Sequence, residues 1–206
     1  MSSSDDARLV AGLVLAGGRS VRFGGEKAVA LLEGRPLLLW AAERLGKVCE
    51  RCAVSVRPGT QAEAVAQANG LAPLYDAAGD AAGPLAGVKA GLIWAAELGA
   101  RTLAVSPCDA PLLPDDLFAR LLAGAAGGAA LAETADGRQP LCAVWPIAAL
   151  PAVREALQGG AHPPTWRVLE ELGARKIRFE PAESFANLNT RADLEAVEAA
   201  RARLRA

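Results

Sequence analysis

Residues Gly17-Gly18-Arg19-Ser20-Val21-Arg22-Phe23-Gly24-Gly25-Glu26-Lys27 place four glycines and three cations in eleven positions. They follow Leu9 to Ala16, a continuous apolar run that predicts a strand buried on both faces. Glycine lets backbone N–H groups approach an anion closely, and Arg19, Arg22 and Lys27 add positive charge that Glu26 partly offsets. Phosphate is the natural guest of such a loop. Neither standard phosphate loop is present, because Lys27 is followed by Ala28 rather than a hydroxyl residue and the G-x-G-x-x-G spacing is missing. The competing reading is a glycine-rich surface turn with solvated arginines.

Three further groups could join this loop. In Ser106-Pro107-Cys108-Asp109-Ala110-Pro111 an acid ends an apolar strand between two prolines. Asp109 there suits Mg²⁺, a hard ion that takes oxygen ligands and bridges to phosphates, or else caps a turn. Asp76 and Asp80 precede Gly83-Pro84-Leu85-Ala86-Gly87, where a helix start offers free N–H groups, although ordinary loop acids would read the same way. Asn187-Leu188-Asn189-Thr190 offers two amide oxygens, while Thr190 with Asp193 has the spacing of a loose capping box. Together these groups point to Mg²⁺-dependent chemistry on a nucleoside triphosphate. Such chemistry works by positioning and charge neutralisation and requires no histidine base.

The composition agrees. In 206 residues there are 22 Lys plus Arg against 23 Asp plus Glu, a net charge of −1, and a single histidine, His162. A balanced charge and 4% aromatics disfavour nucleic-acid coating and base stacking. One histidine excludes a His-rich metal site. Only four lysines occur, Lys27, Lys47, Lys89 and Lys176, which draws attention to the one in the glycine loop. Cys49 and Cys52 have C-x-x-C spacing, but Cys108 and Cys142 are isolated, so buried thiols are favoured over a zinc or redox site. The polar, acidic start lacks the pattern of a signal peptide, and no apolar run approaches the ~20 residues that span a bilayer. A cytoplasmic protein is expected.

The elements that must position these residues alternate. Strands are predicted at 9–16, about 51–57, 72–75, 101–106, 139–145 and 175–179. Helices are predicted from Pro36 with Leu38, Ala41, Leu45 and Val48 inward; from Thr60 to Asn69; from Pro84 to Gly99 with Leu85, Val88, Leu92 and Ala96 inward; and after Pro114-Asp115-Asp116. Residues 123–132 read as a small-residue segment. Helices follow at 147–157, at 165–172 and from Thr190, with Leu194, Val197 and Leu204 inward. Alternation predicts an α/β layer structure with a mostly parallel sheet and right-handed crossovers. One domain is expected over 1–206, with a nucleotide-binding half at about 9–120 and an acceptor-side half at about 121–206.

Leu15-Ala16-Gly17-Gly18 followed by Ser20, Arg22, Gly24 and Lys27 resembles the L-A-G-G-x-S-x-R-M-G-x-D-K signature of molybdenum cofactor guanylyltransferases. The resemblance continues through Leu32-Glu33-Gly34-Arg35-Pro36-Leu37, Gly83 to Gly87, Pro107 to Pro111 and Asn187 to Thr190. It implies a Rossmann-like three-layer α/β/α fold of the glycosyltransferase-A-like, nucleotide-diphospho-sugar transferase type. It also implies transfer of GMP from GTP to the terminal phosphate of molybdopterin, with release of pyrophosphate. By this resemblance Leu15, Ala16, Gly17, Gly18, Lys27, Ser55, Asp76 and Asp109 contact the nucleotide. Asp109 ligates Mg²⁺, Asn189 is a further metal contact, and Lys27 and Arg22 act with Asp109 in catalysis. The expected partners are GTP, molybdopterin and other proteins of molybdenum cofactor biosynthesis, with no nucleic acid or membrane, and the chain is expected to be monomeric. Phe23 replaces the signature Met, Glu26 its Asp, and Ser55 an Asn frequent in guanylyltransferases. Segment 159–167, on the pterin side by the resemblance, departs further. The alternatives are a cytidylyltransferase for molybdopterin, whose signature is L-A-A-G, a sugar-phosphate nucleotidyltransferase, and a non-catalytic nucleotide-binding partner protein. Gly17 favours guanine by leaving room for a purine.

Overall fold

A computed structural model describes residues 9–18, 23–80 and 83–205. Its chain order is β1 (Val10–Leu15), the short hairpin β2 (Leu31–Leu32) and β3 (Arg35–Pro36), then α1 (Leu37–Gly46), β4 (Arg51–Ser55), α2 (Gln61–Ala68), β5 (Ala72–Leu74), α3 (Pro84–Glu97) and β6 (Thr102–Pro107). The second part runs α4 (Leu117–Ala125), β7 (Ala130–Thr134), β8 (Gly137–Pro146), α5 (Leu150–Ala156), α6 (Thr165–Glu171), β9 (Arg175–Arg178) and α7 (Arg191–Arg205).

Seven strands form one sheet in the order β5-β4-β1-β6-β8-β7-β9. β5, β4, β1 and β6 are mutually parallel, β8 runs against both β6 and β7, and β9 pairs parallel with β7. The expected α/β/α arrangement with a mostly parallel sheet is present. The central strands β1 and β6 read as largely apolar runs because helices cover both faces, whereas the edge strand β9 is Arg-Lys-Ile-Arg. In β1, Ala11 and Leu13 pack under α3, whereas Val14 packs under α1. Leu38, Ala41 and Leu45 of α1, Ala62 and Ala66 of α2, and Leu117, Phe118 and Leu121 of α4 fill that same layer. Leu85, Val88 and Leu92 of α3, Val153 of α5, and Val168 and Leu169 of α6 fill the other. Leu194 and Val197 of α7 close over Leu32, Leu37 and Leu188; the side chain of Leu204 lies outside the described residues.

Local chemistry fixes the helix starts. Thr60 caps α2, its hydroxyl accepting from Glu63 N at 3.3 Å, a contact worth about 1 kcal/mol. Pro84 opens α3, where a missing N–H costs nothing.

Two sequence expectations need correction. On α3 the inward residue is Ala95, and Ala96 is exposed, since 85, 88, 92 and 95 keep the helical spacing. Segment 123–132 is the end of α4 and most of β7, which pairs antiparallel with β8. Its small residues are packing devices. A Cβ on Gly124 would lie 2.3 Å from Ile177 Cδ1, so the glycine lets α4 sit close on β9. Ala130 and Ala132 are fully buried beneath the same helix layer.

Candidate functional site

β1 and β6 lie side by side, and the chain leaves β1 towards β4 and β5 before returning on the other side to β6. Open α/β sheets bind ligands at such a reversal, outside the carboxyl ends of the strands. There the loops after β1, β4, β5 and β6 surround a cavity of about 460 Å³. Leu15, Ala16, Gly17, Gly18, Lys27, Ser55, Asp76 and Asp109 all line it. Eight positions drawn from four separate segments of sequence therefore converge on one cavity. Arg57, Gly83, Pro84 and Leu141 line it too. Gly83 and Pro84 belong to the expected helix start, whereas no motif marked Arg57 or Leu141. Arg22, with Arg19 and Ser20, lies outside the described residues.

The glycine loop is anchored by its neighbours. Ala16 N donates to Ser55 O at 2.9 Å, and Cys108 N donates to Leu15 O at 3.3 Å. The first loop is thereby tied to the ends of both β4 and β6. A Cβ on Gly17 would meet nothing nearer than Ser55 Oγ at 3.8 Å, and one on Gly18 would meet nothing within 4 Å. The fold itself does not demand glycine at either position, so any demand comes from a guest. Gly87 is the opposite case: its missing Cβ would lie 2.7 Å from Ser55 Oγ and 2.9 Å from Leu15 Cδ2. Ser55 is buried, its side chain packed under α3, while its carbonyl holds the glycine loop.

Glu26 has a structural duty. Its carboxylate accepts from Gln61 N at 3.1 Å and Ala62 N at 2.9 Å. It thus sits at the positive end of α2 and leaves the charge beside it, Lys27, to the cavity. Lys27 Nζ lies 2.9 Å from Asp109 Oδ2 and 3.4 Å from Asn189 Oδ1, with the two side chains of the ion pair 13% and 23% exposed. Asn189 is delivered by the predicted capping box. Thr190 N donates to Asp193 Oδ2 at 2.9 Å, Asp193 N donates to Thr190 Oγ1 at 3.1 Å, and Asn189 N also donates to Asp193 Oδ2, at 2.7 Å. These bonds hold the Asp193 carboxyl below the usual carboxylate range. Leu188 N donates to Asp109 O at 2.8 Å, joining this segment to the β6 loop.

Asp76 stands at the rim. Loss of hydration, then the charge of Asp80, raises its pKa, and Lys89 opposes the rise. Asp80 forms an ion pair with Lys89 of α3 and so braces the loop instead of facing the cavity. The imidazole of His162 lies over Gly83, within 1.8 Å of where a Cβ would stand. Segment 159–164 therefore borders the start of α3 beside the cavity.

Cys108 lines the cavity beside Asp109, whereas Cys49, Cys52 and Cys142 belong to the core. Cys49 donates to Cys52 under Gly12, raising the first thiol and lowering the second. Burial pushes Cys108 and Cys142 up to about 12. Among the described residues no three His, Cys, Asp or Glu side chains cluster as a metal-binding group. A divalent ion at Asp109 would find a second oxygen donor in Asn189, which shares Lys27 with it. That donor set fits a hard ion completed by phosphate and water, as Mg²⁺ prefers. No described helix is long and apolar enough to cross a membrane.

Comparison with known proteins agrees with this geometry. The sequence profile of the MobA-like NTP transferase domain matches residues 12–176. A molybdenum cofactor guanylyltransferase of Cereibacter sphaeroides is 40% identical over 191 residues, covering 91% of this chain and 94% of the relative. A protein of the same name from Cupriavidus taiwanensis is 36% identical over 97% of this chain and 100% of its own length. The molybdopterin-guanine dinucleotide biosynthesis protein A of Archaeoglobus fulgidus shares the fold, with a TM-score of 0.74, 23% identity, and coverage of 94% of this chain and 99% of that one. The chain is a nucleotidyltransferase and belongs to the MobA-like NTP transferase family.

Proposed function

We propose that the protein transfers GMP from GTP to the terminal phosphate of molybdopterin, with Mg²⁺ as the metal. A phosphate oxygen of the acceptor attacks the α-phosphorus of GTP, the bond to the bridging oxygen of the β-phosphate breaks, and pyrophosphate leaves. The observation that carries this reading is the convergence of Gly17, Gly18, Lys27, Asp76 and Asp109 on one cavity in a chain 40% identical to a named guanylyltransferase.

In this reading Leu15, Ala16, Gly17 and Gly18 present backbone to the nucleotide, and Ser55 holds that backbone through its carbonyl. Asp76 faces the sugar or base side of the cavity. Asp109, with Asn189, holds the metal, which when bound screens the triphosphate charge and activates the phosphorus as a Lewis acid. Lys27 stands within reach of Asp109 and neutralises charge that moves to the leaving pyrophosphate. Arg22 is assigned the same duty from the sequence alone. The missing side chain at Gly17, where a Cβ would project into the cavity 3.8 Å from Ser55 Oγ, supports a purine. In this reading the enzyme is cytoplasmic and monomeric and works with other proteins of cofactor biosynthesis.

The test is a substrate panel. Purified protein, molybdopterin and Mg²⁺ are incubated with each NTP, and pyrophosphate is measured together with the mass of the dinucleotide formed.

A further inference from the structure

Arg44 is a buried cation that none of the motifs marked. It lies on the core face of α1 and is 8% exposed. Its Nη2 donates to Pro111 O at 2.9 Å. Its Nε and Nη1 are buried and have no hydrogen-bond partner among the described residues. Burial lowers its pKa, and the charges of Asp115 and Glu43 only partly compensate. An apolar side chain of that size would cost the fold less than a buried guanidinium with two unmade donors.

The loop that carries Asp109 explains what Arg44 provides. Pro107 and Pro111 have no N–H, so the ends of this loop cannot donate hydrogen bonds. The loop is tied elsewhere by Cys108 N to Leu15 O at 3.3 Å and by Leu188 N to Asp109 O at 2.8 Å. Arg44 grips its far end from the opposite side. The loop is thus pinned between β1, the Asn187–Thr190 segment and α1, and Asp109 is left facing Lys27.

Building on the proposed transfer reaction, we infer that Arg44 is a positioning residue, which holds the Pro107–Pro111 loop so that the Asp109 carboxylate meets metal and Lys27 in register. It touches neither substrate nor metal. Loss of a residue that orients a metal ligand costs about 10- to 100-fold in metal affinity or activity.

The experiment compares Arg44→Met and Arg44→Lys with Val153→Ala, a truncation in the other core layer that controls for loss of stability. In metal-free protein, Arg44→Met speeds amide exchange at Cys108 and Leu188 relative to Ala53, and Mn²⁺ binding weakens. In turnover, kcat falls by about tenfold or more while KM for the NTP changes little. Arg44→Lys, which keeps a donor, recovers part of both. Val153→Ala keeps kcat at an equal loss of melting temperature. The inference is overturned if Arg44→Met leaves exchange at Cys108 and Leu188 and Mn²⁺ binding as in the parent protein, or if both variants lose kcat only in proportion to melting temperature. Should Arg44→Met not fold, Arg44→Lys decides by the same readouts. A parent protein inactive with every NTP contradicts the proposed reaction, whereas the exchange measurement still decides the role of Arg44.

Discussion

Lys27 Nζ and Asp109 Oδ2 meet at 2.9 Å across 82 residues of chain. The pair joins the glycine loop after β1 to the acidic loop after β6, and both side chains retain a face on the cavity. The pair is part-buried but opens on the cavity, and an Asn in place of Asp109 keeps the size and an acceptor oxygen for Lys27, so that substitution tests the charge more than the fold. Asp109→Asn is expected to abolish metal-dependent turnover with little change in melting temperature. Lys27→Ala is expected to lower kcat by about 10²- to 10³-fold, in the range for removing one group that stabilises developing charge. Steady-state kinetics alongside thermal melts checks both, and an unaltered rate in either variant removes that residue from the mechanism.

Gly17 and Gly87 both lie beside Ser55 and make opposite predictions. Gly17→Ala leaves melting unchanged, because its Cβ meets nothing nearer than 3.8 Å, and shifts the KM ratio of GTP to CTP towards CTP. Gly87→Ala forces a contact of 2.7 Å with Ser55 Oγ and destabilises the fold by about 1–3 kcal/mol. Denaturant unfolding and a two-nucleotide kinetic comparison separate the two effects.

How much of this was legible in the sequence follows from what each residue does. β1, α2 and α3 were readable because buried apolar runs, Thr60 and Pro84 are local signals. The site was readable because its residues fall in motifs at strand ends. β7 was not, since Ala130 and Ala132 are small for a tertiary reason, the nearness of α4, and Gly124 sits inside a helix because Ile177 crosses it. Glu26 looked like an offsetting charge in the phosphate loop, but its work is done on α2, thirty-five residues away in sequence. Arg44 looked like any arginine on a helix. Only the fold brings it under Pro111.

Asp193 gives a pH dependence with a definite sign. Its carboxyl is held below the usual range by Asn189 N, Thr190 N and the Thr190 hydroxyl, so the folded protein binds that proton less readily than the unfolded chain. Its stabilisation is full above the ordinary carboxylate range, about pH 4, and is lost as pH falls through the lowered folded value. Asp193→Ala should lower the urea midpoint at about pH 7, by an amount that shrinks as pH falls below the ordinary carboxylate range. Because the same bonds deliver Asn189 beside Lys27, the variant should also weaken Mn²⁺ binding.

Glu26→Ala separates capping from phosphate binding. Removing the acceptor of Gln61 N and Ala62 N should cost about 1 kcal/mol, read from urea unfolding. Added Thr60→Ala should cost a further, similar amount, because Thr60 serves a different donor of the same helix.

Pyrophosphate release from the purified protein with molybdopterin, Mg²⁺ and each of the four NTPs tests the central claim most directly. The account predicts release with GTP, a product of the mass of molybdopterin guanine dinucleotide, and no release when molybdopterin is omitted. Release with CTP in place of GTP, or with a sugar phosphate in place of molybdopterin, would contradict it.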